Sequence, residues 1–236
     1  DKFLHVCKTG VAAMKMVTVS VTAYVEEDLE LARQVIRDDD IVDGLFLKVR
    51  GEILDAIRDG SSKGEEVLDL FMITKYYERI GDHAVNLSKT AREISEKKLR
   101  LSDVAQRELD VITSAVSEIV VLATDAFTND DSAAAKKVEP LEQVIDGLCD
   151  EIKLRHVRRV QTGECTLDHG FVYNDILTNY ERIADHCSNV AVAIIELEHD
   201  IFDTHEYLRK VKTSRSADFE ANYEQYSHEY ALDPRG

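Results

Sequence analysis

The chain repeats itself without gaps at an offset of 103 residues. Tyr77-Glu78-Arg79-Ile80-Gly81-Asp82-His83, followed by Asn86, returns as Tyr180-Glu181-Arg182-Ile183-Ala184-Asp185-His186, followed by Asn189. The same offset carries Asp43-Gly44-Leu45 onto Asp146-Gly147-Leu148, and Ala23-Tyr24 onto Ala126-Phe127. Solenoid repeats run roughly 20–50 residues, so a period this long reads as a duplicated bundle. The fold it admits is two similar units of about 100 residues in one chain.

The periodicity inside each unit is helical. Ile73, Tyr77, Ile80, Ala84, Leu87, Ala91 and Ile94 alternate spacings of four and three, as a bundle seam does. Ile176, Tyr180, Ile183, Cys187, Val190, Ile194 and Leu197 repeat that stripe in the second unit. Gly and Pro number only 10 and 2, far below the roughly 12% of average usage, so long helices go uninterrupted. Breaks fall at Asp59–Gly64 and, less sharply, at Gly163–Gly170. Upstream of each seam helix the pattern predicts two more helices. In the first unit these run near 8–26 and then from the polar turn Glu26-Glu27-Asp28 to about Ile57; the matching turn is Asn129-Asp130-Asp131. Ser102 is suited to cap the helix that opens the second unit. Pro140 predicts a kink or fresh start in the second middle helix.

The expected architecture is therefore all-α: a tandem pair of three-helix bundles, 1–100 and 101–199, with a tail at 200–236. In that tail Phe219, Tyr223, Tyr226 and Tyr230 are spaced four, three and four, which predicts one short amphipathic helix. No stretch of 18 apolar residues occurs, so the sequence reading expects no membrane span. A net charge of −17 argues against a nucleic-acid binder, which needs clustered Lys and Arg. Cys7, Cys149, Cys165 and Cys187 show no metal-finger spacing. Reduced thiols and the lack of an export signal lead this reading to expect the cytoplasm. The first residue is Asp1 rather than Met, and either a trimmed chain or an excised piece of a longer one is expected from it.

The acids invite a functional reading because duplicated packing requires apolar positions to recur, not carboxylates. Four pairs sit four residues apart: Asp39 with Asp43, Glu78 with Asp82, Glu142 with Asp146, and Glu181 with Asp185. Such pairs repel by a few tenths of a kcal/mol in an isolated helix, so they are mildly unfavourable without a partner. Rotation at about 100° per residue puts Glu78 and Asp82 roughly opposite the apolar seam, on an outward polar ridge. Asp39 and Asp43 flank the apolar face of the middle helix, within reach of that ridge. Oxygen donors of this kind suit hard or borderline cations. A ferritin-like di-iron centre is excluded, because its Glu-x-x-His pairing facing the bundle interior is missing. His83 and His186 read as surface or rim residues, Tyr77 and Tyr180 as core aromatics, and Cys187 as a small buried hydrophobe. No nucleophile–base pair, Gly-rich phosphate loop or cofactor fingerprint occurs, so no catalytic residue is assigned.

At these residues the chain resembles the PhoU family of phosphate-uptake regulators. The resemblance spans roughly 8–198 and rests on the paired E(D)xxxD motifs and on Tyr-Glu-Arg-Ile-x-Asp followed by Asn, present in both units. It implies multinuclear metal clusters, of iron or zinc first, with manganese, nickel or magnesium as further fits. By direct match their ligands are Asp39, Asp43, Glu78 and Asp82 in one unit and Glu142, Asp146, Glu181 and Asp185 in the other. Asp39 departs from the longer acid found at Glu142. The resemblance further implies contact with a phosphate transporter or a phosphate-sensing histidine kinase. A stand-alone regulator and a domain appended to a sodium/phosphate cotransporter, tethered at the inner membrane face, both stay open, as does homo-oligomerisation. A carboxylate-bridged hydrolase using two metals and a metal-free adaptor are the alternatives from other classes.

Overall fold

The computed structural model describes residues 4–60, 64–199 and 215–234. Every regular element among them is a helix: α1 (Leu4–Val25), α2 (Leu29–Asp59), α3 (Gly64–Lys97), α4 (Asp103–Thr128), α5 (Ser132–Ala135), α6 (Val138–Gln161), α7 (Leu167–His199) and α8 (Ala217–Glu229). Helices α1–α3 form the first bundle. In the second, α4, the α5–α6 pair and α7 take the matching places. The tandem three-helix reading is correct.

Local chemistry sets the boundaries. The Asp28 carboxylate caps α2 by accepting from the Glu30 and Leu31 amides, and Gly60 closes that helix in the left-handed region at φ 64°. Ser102 caps α4 by accepting from the Ala105 amide at 3.2 Å, at the position the sequence reading chose. The middle element of the second bundle does restart, but the break falls at Lys136–Lys137, ahead of Pro140. Pro140 therefore sits in the first turn of α6, where its missing N–H costs no intrahelical bond.

The seams predicted from sequence are the cores. Tyr77 and Tyr180, Ile80 and Ile183, Ala84 and Cys187 are all buried in one continuous apolar cluster. The longest helices, α3 and α7, also pack on each other and so join the two bundles. α1 and α4 are long and apolar enough to cross a membrane by length and composition. Here they are bundle helices, and their apolar residues, among them Ala13, Met16, Ile112 and Ile119, lie in that core.

The duplicated tyrosines are held differently. Tyr77 lies over Gly10, where a Cβ would stand 2.8 Å from the ring. At the matching place Thr113 bonds the Tyr180 hydroxyl at 2.9 Å. A second difference lies at Gly81, whose counterpart is Ala184; a Cβ there would meet Met16, Val42 and Asp39 at ordinary contact distances of 3.5–3.7 Å.

The second bundle also buries a charge cluster. Glu108 of α4 is held by Arg159 of α6 through two bonds of 3.0 and 2.6 Å and accepts from the Tyr173 hydroxyl at 2.9 Å. Removing one partner from such a cluster strands the other in low dielectric.

The tail residues 200–214 lie outside the described residues. Beyond them α8 is the short helix its stripe predicted. Phe219, Tyr226 and Tyr230 are buried, and α8 packs against α6. Arg155 donates to the Asp233 carbonyl at 2.7 Å, and the Tyr230 hydroxyl bonds the Glu118 carboxylate.

Three outcomes of chemical denaturation follow. Gly10→Ala should lose about 1–3 kcal/mol, because the new methyl overlaps the Tyr77 ring, whereas Gly81→Ala should gain roughly 0.5–1 kcal/mol by removing a helix-interior glycine where space exists. Arg159→Met should cost about 3 kcal/mol by leaving Glu108 buried beside fewer cations.

Candidate metal centre

In each bundle the third helix turns one face into the apolar seam, and its carboxylates emerge on another. The structure sets those carboxylates in the groove between third and middle helices, half-buried, rather than on an open outward ridge. Helical-wheel geometry kept them off the apolar seam, and they lie outside the core cluster. It could not show that the middle helix lies along that side.

In the first bundle, Asp39 of α2 and Asp82 of α3 are half-buried, and Asp43 is exposed at the lip. Burial raises the Asp39 carboxyl to about 6, and the nearby carboxylates Asp43, Asp82, Asp40 and Glu78 push it the same way. Burial likewise raises Asp82, helped by Glu78 and opposed by Arg79. All four predicted acids thus share one electrostatic environment. Cations already touch its edge: Lys75 Nζ lies 2.7 Å from Glu78, and Arg79 lies 3.4 Å from Asp82.

In the second bundle the carboxylates close further. Glu142 and Asp146 of α6 and Asp185 of α7 each offer an oxygen, and these oxygens all lie within 4.8 Å of one another. Glu142 is only 2% exposed. Its extra methylene, compared with Asp39, lengthens its reach from the middle helix. Glu181, the fourth predicted ligand, is instead ion-paired to Lys153 at 2.8 Å and stands outside the triad. Asp185 also meets Arg182 at 3.2 Å.

The donor set fits a hard or borderline cation. It consists of carboxylate oxygens, two from one helix a single turn apart and one from its neighbour, spaced so that one ion could touch all three. Soft thiolate chemistry is absent from it, since Cys149 and Cys187 are buried and burial holds both thiols protonated.

The histidines correct the rim assignment. His83 and His186 stack face to face with ring centroids 5.4 Å apart, where α3 meets α7. Each also contacts the residue seven before its partner: His83 Nδ1 lies 2.9 Å from Asn179 Oδ1, and His186 stacks on Tyr76. Asn179 and Tyr76 are themselves one repeat apart, so the arrangement has the pseudo-two-fold symmetry of the duplication. Burial, then His83, Arg79 and Arg182, lowers His186 to about 4, which keeps it neutral near pH 7.

Other polar residues went unnoticed in the sequence. Glu139 lies one turn before the triad, buried, and accepts from the Ser188 hydroxyl. Its counterpart is Ile36, so a search for recurring acids passes it over. Glu108 and Arg155, 3.6 Å apart, did carry a signal: one repeat earlier stand His5 and Glu52, paired at 2.6 Å with the polarity reversed. Only comparison of both ends of each pair would have shown it.

The family model described as "PhoU domain" matches residues 6–91 and 110–194, one copy per bundle. The chain is 27% identical over 192 residues to the phosphate-specific transport system accessory protein PhoU homolog 1 of Thermotoga maritima, covering 80% of this chain and 82% of that one. It is 26% identical over 199 residues to the corresponding PhoU homolog of Zymomonas mobilis, covering 79% and 78%. The crystal structure of PhoU from Pseudomonas aeruginosa has the same fold, with a TM-score of 0.77 at 24% identity over 85% of this chain and 97% of that one.

Proposed function

This chain belongs to the PhoU domain family, and on that footing we propose that it is a metal-binding, non-enzymatic regulator of phosphate uptake. It acts by contact with a phosphate transporter or a phosphate-sensing histidine kinase, or as the soluble part of such a transporter. The relatives named as accessory proteins of phosphate-specific transport support the phosphate role. The metal role is carried by one observation: α6 and α7 bring Glu142, Asp146 and Asp185 to within 4.8 Å, although like charges so close repel.

When bound, a cation such as iron, zinc, manganese, nickel or magnesium would supply positive charge between the middle and third helices. Everything else is the work of this chain. Glu142, Asp146 and Asp185 would hold one site, with Glu181 free to join if Lys153 releases it. Asp39, Asp43, Glu78 and Asp82 would hold the other, and their mutual repulsion on Asp39 is what positive charge would relieve. Because each set spans two helices of one bundle, occupancy stiffens the groove between them. A binding module influences transport only through unequal affinity for two states of its partner, and a stiffened groove presents one surface rather than several. His83 and His186 are engaged with each other, Asn179 and Tyr76, an arrangement that serves packing between the bundles rather than proton transfer.

Elemental analysis tests the metal assignment. Asp146→Asn combined with Asp185→Asn should remove most of the metal taken up by the second bundle while the far-ultraviolet spectrum stays helical. Lys153→Met should raise uptake there by freeing Glu181. Unchanged metal content in the double variant means the ligand assignment is wrong. In cells, the double variant should alter how phosphate uptake responds to external phosphate. A response identical to that of the unsubstituted protein, with metal content lost, would separate metal binding from regulation and refute the coupling.

A further inference from the structure

The two bundles present homologous outer grooves, and only the second is covered by a segment of the described chain. That groove runs between α4 and α6. α8 packs on its α6 side, and Tyr230 at the end of that helix reaches α4 by bonding Glu118; Arg155 bonds the Asp233 carbonyl, and Arg215 bonds Gln143 at 3.0 Å. Val104, Val111, Arg155 and Leu232 are among the residues lining a cleft of about 780 Å³ that remains beside the tail. Shifted back by one repeat, Glu118 becomes Lys15, Val111 becomes Lys8, Ser114 becomes Val11, Val144 becomes Ile41, Leu148 becomes Leu45 and Glu151 becomes Lys48.

Exposure separates the two grooves. Val144 and Leu148 are 6% and 7% exposed, whereas Ile41 is 56% exposed, Leu45 is half-buried and Val11 is 47% exposed. Charge separates them too. The rim beside α8 carries Glu108, Asp110, Glu118 and Glu151 against Arg107 and Arg155. The uncovered rim carries Lys8, Lys15 and Lys48 against Asp40 and Glu52, and Glu52 is already engaged by His5. α8 itself carries Asp218, Glu220, Glu224 and Glu229 and no Lys or Arg. An acidic helix with an apolar-aromatic stripe is thus seated where the rim has excess carboxylate, while its duplicate has excess lysine.

We propose that the α1–α2 groove of the first bundle docks an acidic amphipathic helix from a partner protein, in the manner that α6, with Glu118 of α4 at its edge, holds α8. Aromatic or aliphatic side chains of that helix, spaced four and three, cover Ile41, Leu45 and Val11. Its carboxylates meet Lys8, Lys15 and Lys48. Helix-in-groove recognition takes its affinity from such apolar anchors, and the charges select the partner and speed its association.

The probe is a labelled synthetic peptide of residues 215–234, which has this chemistry, titrated into the full chain by fluorescence anisotropy. Saturable binding is expected, weakening with added salt. Ile41→Asp, or Lys15→Glu together with Lys48→Glu, should weaken it by about tenfold or more. All three positions are exposed, so the variants should keep their helical spectrum and thermal midpoint. Leu167→Asp, an equally exposed change far from the groove in sequence, should leave binding intact. No saturable binding overturns the proposal, and so does binding that survives both groove variants, since the peptide would then be exchanging with the resident tail. Concentration-dependent self-association of the chain that Ile41→Asp abolishes would assign the groove to a second copy and also overturn it.

Discussion

The packing of α3 on α7 is the constraint on which the rest of the molecule depends. Each of these helices must serve three neighbours at once: its own bundle through the tyrosine seam, the other bundle through the histidine face, and its middle helix through the carboxylate face. A helix has about 3.6 residues per turn, so three such faces fit only if each is narrow and strictly periodic. The stretch from Tyr77 to His83, repeated from Tyr180 to His186, is that compromise. Tyrosine and isoleucine enter the core, the acids turn to the middle helix, and the histidine meets its own duplicate. The recurrence of six of the seven positions, with Gly81 alone replaced by Ala184, follows from geometry as much as from chemistry.

Duplication supplied two bundles, and divergence has since made them structurally unequal. The second is the more tightly specified. It buries the Glu108–Arg159–Tyr173 cluster, closes Glu142, Asp146 and Asp185 into one triad, and carries α8 on its outer face. The first keeps a looser acid cluster in which burial and four neighbouring carboxylates raise Asp39, and its outer groove stays uncovered by the described chain. Both Glu78 and Glu181 are lysine-paired, Glu78 from its own helix and Glu181 from the middle one, and Glu142 carries one more methylene than Asp39, so the two acid sets are inequivalent. Under the proposed metal-binding role, the two acid sets are expected to differ in affinity.

Most helices, their boundaries and the core were legible in the sequence because each rests on local or periodic signals; the α5–α6 break, which came at Lys136–Lys137 rather than at Pro140, was placed only approximately. The Asp28 and Ser102 caps, the breaks at Gly60 and Gly163, and the seven-position seams all act within a few residues of themselves. The four acid pairs were legible because they recur. Glu139 was not, since its duplicate is Ile36. Nor was the stacking of His83 on His186, since nothing in either helix alone says that the two will meet.

By itself, then, the sequence determined which residues are helical, which face of each helix is apolar, and that the whole pattern occurs twice. Those properties follow from the 3.6-residue turn and from capping chemistry, which depend on near neighbours only. The tertiary structure alone decided that the acid faces line grooves instead of open surface, that Glu181 goes to Lys153, that the histidines meet on the pseudo-two-fold axis, and that α8 lies against one groove while no described segment covers its duplicate. Each of those outcomes joins residues 28 to 112 positions apart. Such distant pairings are set by how whole helices pack, and no periodicity within one helix contains that information.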